Sequence, residues 1–224
     1  MPNIRVSPAA AGVATLTLDR ADKRNALSIA LRDEVTGALG ALAADPAVKV
    51  VVLTGAGPVF SAGFDLGEFE QAAADPALHR RLWESSDRFH HACLAFPLPL
   101  VAAVNGPAIA GGFDLAVMCD LRIAATSATF SHPEIAFGDV VYSPLHDLVG
   151  GAVARELALT GRVVEAQEAR RLGLVASVVP PAELEGEVAR YARLITRAPR
   201  EYLLRTKAKI IRRGGVPPGP TLDL

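Results

Sequence analysis

The chain lacks most of what marks a specialised environment. Only two cysteines occur in 224 residues, Cys93 and Cys119, and they form no C-x-x-C pair. A disulfide framework or a structural zinc site is therefore not expected, and a reducing compartment fits. Excess charge of either sign is missing too: 23 basic residues stand against 24 acidic ones, so no global field steers the protein to nucleic acid or to an anionic membrane. No apolar run approaches the length of a membrane span, because Arg, Asp or Lys interrupts each one. Residues 1–18 alternate polar and apolar types, without the basic start and apolar core of a secretory leader. The expectation is a soluble cytoplasmic protein that contacts neither nucleic acid nor membrane. Three catalytic signatures are absent as well: G-x-G-x-x-G for dinucleotides, the phosphate loop ending in Gly-Lys-Ser/Thr, and the nucleophile elbow G-x-S-x-G.

What is present is an ordinary globular balance, half hydrophobic and 21% charged, with 5% aromatics. That length and composition suffice for one full core. Ile4–Val6 and Val13–Leu18 read as short strands. Residues 49–54 (KVVVLT) form a continuous β-branched run, as in a strand buried on both faces. Leu100–Val104 and Leu121–Ala125 repeat the pattern. Ser28 is placed to cap a helix whose apolar residues Leu31, Val35, Ala38, Leu39 and Leu42 recur at helical spacing. Further helical periodicity covers 78–94 and begins again at Gly111. Alternation of strand and helix predicts an α/β domain, with ligands at the carboxyl ends of the strands. Residues 1–148 are read as this core. From 149 to 213 the chain reads almost wholly helical, and 214–224 (GGVPPGPTLDL) as a flexible tail.

Two glycine-bearing loops follow strands: FSAGFDL at 60–66 and NGPAIAGGFD at 105–114. Gly-Gly opening a helix presents free N–H groups to negative charge, and two such loops could converge on one oxygen as a main-chain oxyanion hole. Equally, each glycine could serve only a tight strand-to-helix turn.

Taken in order, KRNAL at 23–27, FSAGFDL at 60–66, AVNGPAIAGGFDLAVMCD at 103–120, FSHPEIAFG at 130–138 and LTGR at 159–162 closely resemble the enoyl-CoA hydratase/isomerase (crotonase) family. The resemblance runs from the first strand to about residue 209. It implies a spiral of short strands with surrounding helices, assembled as a trimer or hexamer, acting on an acyl-CoA thioester through an enolate. Coenzyme A would enter as part of the substrate, with no separate cofactor and no metal. The N–H groups of Phe64 and Gly111 would form the oxyanion hole. Lys23, Arg24 and Ala26, with Ala62, Gly63, Phe64, Asp65 and Leu66, would hold the nucleotide end. Glu134, in the Pro-Glu dipeptide, and Asp114, three residues past the oxyanion glycine, would move protons.

Several readings stay open at this stage. Lys23 and Arg24 could be solvated residues. Asp114, one methylene shorter than the Glu of hydratases, could instead cap its helix. After Gly138 the chain departs from the glycine-rich stretch of hydratases, reading DVVYSPLHDL, so the acyl group and the reaction could differ: hydration, double-bond migration, or hydrolysis of a thioester or diketone. Asp139, Tyr142 and His146 are further polar candidates there, and His132, beside Glu134, could titrate near neutrality. A basic C-terminal helix with Arg200, Arg205, Lys207, Lys209, Arg212 and Arg213 leaves a non-catalytic RNA-binding relative as a further alternative, opposed by the net charge. His90-His91 face different ways on a helix and do not make a metal pair.

Overall fold

The computed structural model describes residues 2–215 and 220–221. Its main sheet takes β1 (Ile4–Val6), β2 (Val13–Leu18), β3 (Val50–Gly55), β4 (Leu100–Val104), β6 (Leu121–Ala125) and β9 (Ser177–Val179) in that spatial order. The β1–β2 pair is antiparallel and the other pairings are parallel. A smaller sheet joins β5 (Ala108–Ile109), β7 (Thr129–Ser131) and β8 (Val164–Glu165). Eight α-helices occur among the described residues: α1 (Ile29–Ala44), α2 (Leu66–Ala72), α3 (Pro76–Leu94), α4 (Gly111–Met118), α5 (Ser143–Thr160), α6 (Ala166–Arg171), α7 (Leu184–Thr196) and α8 (Arg200–Gly214).

The β-branched runs are explained by burial on both faces of the sheet. Val51 and Leu53 of β3, with Leu100, Ala102 and Val104 of β4, face the main core shared with α1, α3 and α4. Val50, Val52, Val101 and Ala103 face the other way, onto Leu184, Val188 and Ala192 of α7. The period-two alternation of strand side chains thus feeds two separate apolar layers. Ser28 caps α1 as its position predicts, its hydroxyl accepting from the Leu31 N–H at 3.3 Å.

The region after 148 is less helical than the sequence suggests. The three residues of β9 extend the main sheet beside β6, and β8 completes the small one. Strands of two or three residues carry too few positions to show a period, so nothing in the sequence announced them. Position 148, read as the end of the core, falls inside α5, near the non-helical Gly150 (φ 77°). Most of the segment read as a tail, 216–219 and 222–224, lies outside the described residues. Thr221, however, is buried, and its N–H and hydroxyl both bond Asp87.

Candidate active site

The site is assembled above the carboxyl ends of β3 and β4, where short pairings tie loops together. Phe64 bridges to Leu27, Ser61 bridges to Ala108, and Ala108 pairs in turn with Phe130. The Ile109 N–H donates to Ser61 O at 3.0 Å and the Ala110 N–H to Ser131 O at 2.9 Å. The two glycine loops of the sequence are therefore in direct contact, and β7 is drawn up beside them.

Glycine is required where they meet. A Cβ on Gly63, whose φ is +83°, would lie 2.8 Å from Ile109 O, and one on Gly112 would lie 2.4 Å from Ser61 O. Both distances are shorter than any real contact allows, so the loops could not close over larger residues. Ala110, immediately before α4, holds φ 52° and ψ −130°, a conformation that L-residues rarely adopt and that costs about 1–3 kcal/mol. Its ψ sets the plane of the next peptide, whose N–H is that of Gly111, the first residue of α4. The first N–H groups of a helix have no partner within it and carry its positive end.

Phe64 stands against this terminus. A Cβ on Gly111 would lie 3.1 Å from the Phe64 ring. That ring is held by neighbours on three elements. The Arg32 guanidinium sits 4.4 Å from its centroid, and Phe69 and His90 stack on it at 6.0 and 6.1 Å. Arg32 is fully buried, with Nε donating to Ser85 Oγ and Nη2 to Leu82 O. Burial lowers its pKa to about 10, against the raising charges of Glu68 and Asp33. His90 is buried as well, and desolvation first, then the Arg32 charge, pushes it down to about 4, so it is neutral at physiological pH. Sequence reasoning missed Arg32, although it lies within the buried stripe Ile29, Arg32, Val35, Leu39; a charged residue in an apolar stripe was the available clue.

Asp114, in the first turn of α4, and Glu134, on the 3-10 turn Pro133–Ala136 that follows β7, lie at one place, and His132 joins them. Its Nδ1 is 2.9 Å from Glu134 Oε1 and its Nε2 is 3.7 Å from Asp114 Oδ1. The imidazole is buried, with the Phe113 ring 4.6 Å away. Asp114 Oδ1, His132 Nε2 and Glu134 Oε2 are all buried and have no hydrogen-bond partner. Asp114 therefore does not cap α4, whose cap residue Ala110 makes no side-chain bond. Desolvation raises the Asp114 pKa to about 7, partly offset by His132 and reinforced by Glu134. For His132, burial works against the cation, but the bond to Glu134 and the charges of Asp114 and Glu134 overcome it and leave the pKa raised. The donor atoms of this trio lie within 4.8 Å of one another, a spacing a cation could bridge. The direct hydrogen bond occupies His132 Nδ1 and Glu134 Oε1 with each other.

The remaining candidates divide clearly. Lys23 and Arg24 are exposed on the turn at 21–24, and this segment is strapped to the first glycine loop: the Ala62 N–H donates to Arg24 O at 3.0 Å and the Leu27 N–H to Gly63 O at 2.8 Å. Ala26 lies in the same strap, its carbonyl accepting from Arg20. The Asp65 side chain caps α2 at Gly67 and pairs with Arg20 at 3.2 Å, while Leu66 is exposed. By contrast, His146 and Asp147 form an exposed pair, Tyr142 packs against His146, Asp139 is exposed, and none of these touches the carboxyl pair.

Residues 8–213 match the model of the enoyl-CoA hydratase/isomerase family. A Thermus thermophilus protein that carries the enoyl-CoA hydratase name is 41% identical over 205 residues, covering 86% of this chain and 80% of that one. The solved enoyl-CoA hydratase/isomerase of Xanthobacter autotrophicus Py2 superposes with a TM-score of 0.86 at 35% identity, covering 94% and 79% of the two chains. An enoyl-CoA hydratase/carnithine racemase from Magnetospirillum magneticum gives 0.89 at 31% identity, covering 100% and 86%. The chain belongs to the enoyl-CoA hydratase/isomerase family, and its α/β spiral is the family's fold. Among the described residues, no helix is long and apolar enough to cross a membrane.

Proposed function

We propose that the protein hydrates an enoyl-CoA thioester, through an enolate held by the N–H groups of Phe64 and Gly111. The observation that carries this reading is the meeting of two carboxyls, Asp114 and Glu134, each with a buried and unpartnered oxygen, beside a helix terminus opened by a strained peptide. In the forward reaction the oxygen of a water bonds to C3 and one of the carboxyls takes its proton. The C2–C3 π pair moves toward the thioester oxygen, whose charge the two N–H groups receive. The other carboxyl gives a proton to C2 and the enolate collapses, so that one water has been added. With its pKa near 7, Asp114 exchanges a proton readily at physiological pH.

The nucleotide end of coenzyme A is assigned to the exposed strap. Lys23 and Arg24 would face its phosphates, and the main chain of Ala26, Ala62 and Leu66 would border it. Asp65 is assigned a supporting role, because its carboxylate is already engaged by Arg20 and Gly67. Assembly as a trimer or hexamer and a cytoplasmic location belong to the same proposal. Supporting the latter, Cys93 and Cys119 are free thiols buried in the core. The test is incubation with a panel of 2-enoyl- and 3-enoyl-CoA esters followed by liquid chromatography, which separates the positional isomers, and mass spectrometry of each peak. A product heavier by one water is expected. Isomerised product without water would assign double-bond migration instead, and an untouched panel would refute both.

A further inference from the structure

We infer that His132 couples the two carboxyls, fixing Glu134 through Nδ1 and carrying a proton between Glu134 and Asp114. The inference rests on the acid–base reading of this site. Addition of water leaves the pair in the wrong state: the carboxyl that took the water proton is now protonated and neutral, and the one that served C2 has lost its own and is charged. One proton must return before the next turnover.

His132 is the side chain placed to return it. It comes off the end of β7, which the Ala110–Ser131 hydrogen bond fixes beside α4. Its ring is clamped against Phe113, so its two nitrogens face opposite ways on a fixed axis. One faces Glu134 at 2.9 Å and the other faces Asp114 at 3.7 Å. The second distance exceeds a hydrogen bond, but contacts of this kind tighten when substrate closes the site. The protonated carboxyl gives its proton to one nitrogen while the other nitrogen releases its own to the second carboxylate. This leaves the imidazole as its other tautomer, which is reset for the next turnover when the bared nitrogen gains a proton from water of the site and the opposite nitrogen loses one to it. Holding Glu134 by Oε1 also leaves Oε2, buried and unpartnered, as the oxygen free for substrate. The charged groups acting on the imidazole are these two carboxyls, one from α4 and one from its own turn. A purely structural imidazole would not leave Nε2 unpartnered opposite a bare carboxyl oxygen; such buried atoms cost about 1–3 kcal/mol each.

The experiment has one arm without turnover and one with it. In 15N-imidazole NMR of the whole protein, His132 should keep its charge to a higher pH than an ordinary histidine, and Glu134→Gln should lower that midpoint. An unchanged midpoint in Glu134→Gln would overturn the coupling. This arm needs no substrate, so it still decides the matter if every CoA ester proves inert and the acyl-CoA reading falls. In the second arm, His132→Asn keeps a donor near the Nδ1 position but cannot pass a proton through. Its kcat should fall about 100-fold, the usual worth of a positioned acid–base group, with KM within threefold and a displaced pH profile. His132→Gln, a donor at the Nε2 side, should show the same loss. Wild-type kcat and an unshifted profile in a folded variant of either kind would refute the proposal.

Discussion

Asp114 is the residue whose environment makes the sharpest demand. Its pKa of about 7 against an ordinary 3.8 means that between about pH 4 and 7 the unfolded chain releases a proton the folded protein keeps. Stability is therefore lost as pH rises through that window and levels off above it, by at most about 4 kcal/mol for a shift of this size. Asp114→Asn does not titrate, so its stability relative to wild type should climb from pH 4 to 7 and then hold. Urea unfolding at a series of pH values measures this, and parallel curves would refute the burial argument. The same variant should lose hydration by 100-fold or more, whereas an isomerase working through Glu134 alone would be nearly unaffected. The neighbourhood of His132 and Glu134 was legible in the sequence, but the approach of His132 to Asp114 was not. Pro133-Glu134 and Asp114 were readable as candidates by resemblance, but His132 stands between them only because β7 lies against the start of α4, a tertiary fact without a local signature.

At the scale of elements, the start of α4 is where fold and chemistry meet. Gly111 is the first helical residue, a position where proline fits the backbone and removes an N–H that the helix does not use. Gly111→Pro should thus remain folded yet lose about 10²–10³ in rate if that N–H holds the oxyanion. Gly111→Ala supplies the control, since it crowds the Phe64 ring at 3.1 Å but keeps the donor. Equal losses in the two variants would show that crowding, not the missing donor, is responsible. Long elements of this fold were readable because burial writes a period into them: KVVVLT announces a strand covered on both faces, and Ser28 announces α1. The two-residue strands β5 and β8, which hold the loops in register, write no period at all. Arg32 illustrates a third case: its stripe position was visible, but not its role of clamping Phe64, which depends on α1 and α3 packing together.

For the whole molecule, the account predicts a protein stabilised by its substrate. Coenzyme A and acyl-CoA esters should raise the melting temperature progressively with concentration, as for any ligand that binds the folded state alone. Replacing both Lys23 and Arg24 by Ala should weaken that shift without altering kcat, because the exposed strap is the segment proposed to meet the far end of the ligand. Static light scattering should return a multiple of 23.5 kDa, and the mass of a single chain would reject the trimer or hexamer. The most direct test of the central claim separates binding from chemistry at Glu134. Glu134→Gln keeps the shape and removes the ionisable group, so it should bind the best enoyl-CoA ester with wild-type affinity by calorimetry while turning it over at least 100-fold more slowly. Wild-type turnover by this variant would contradict the account.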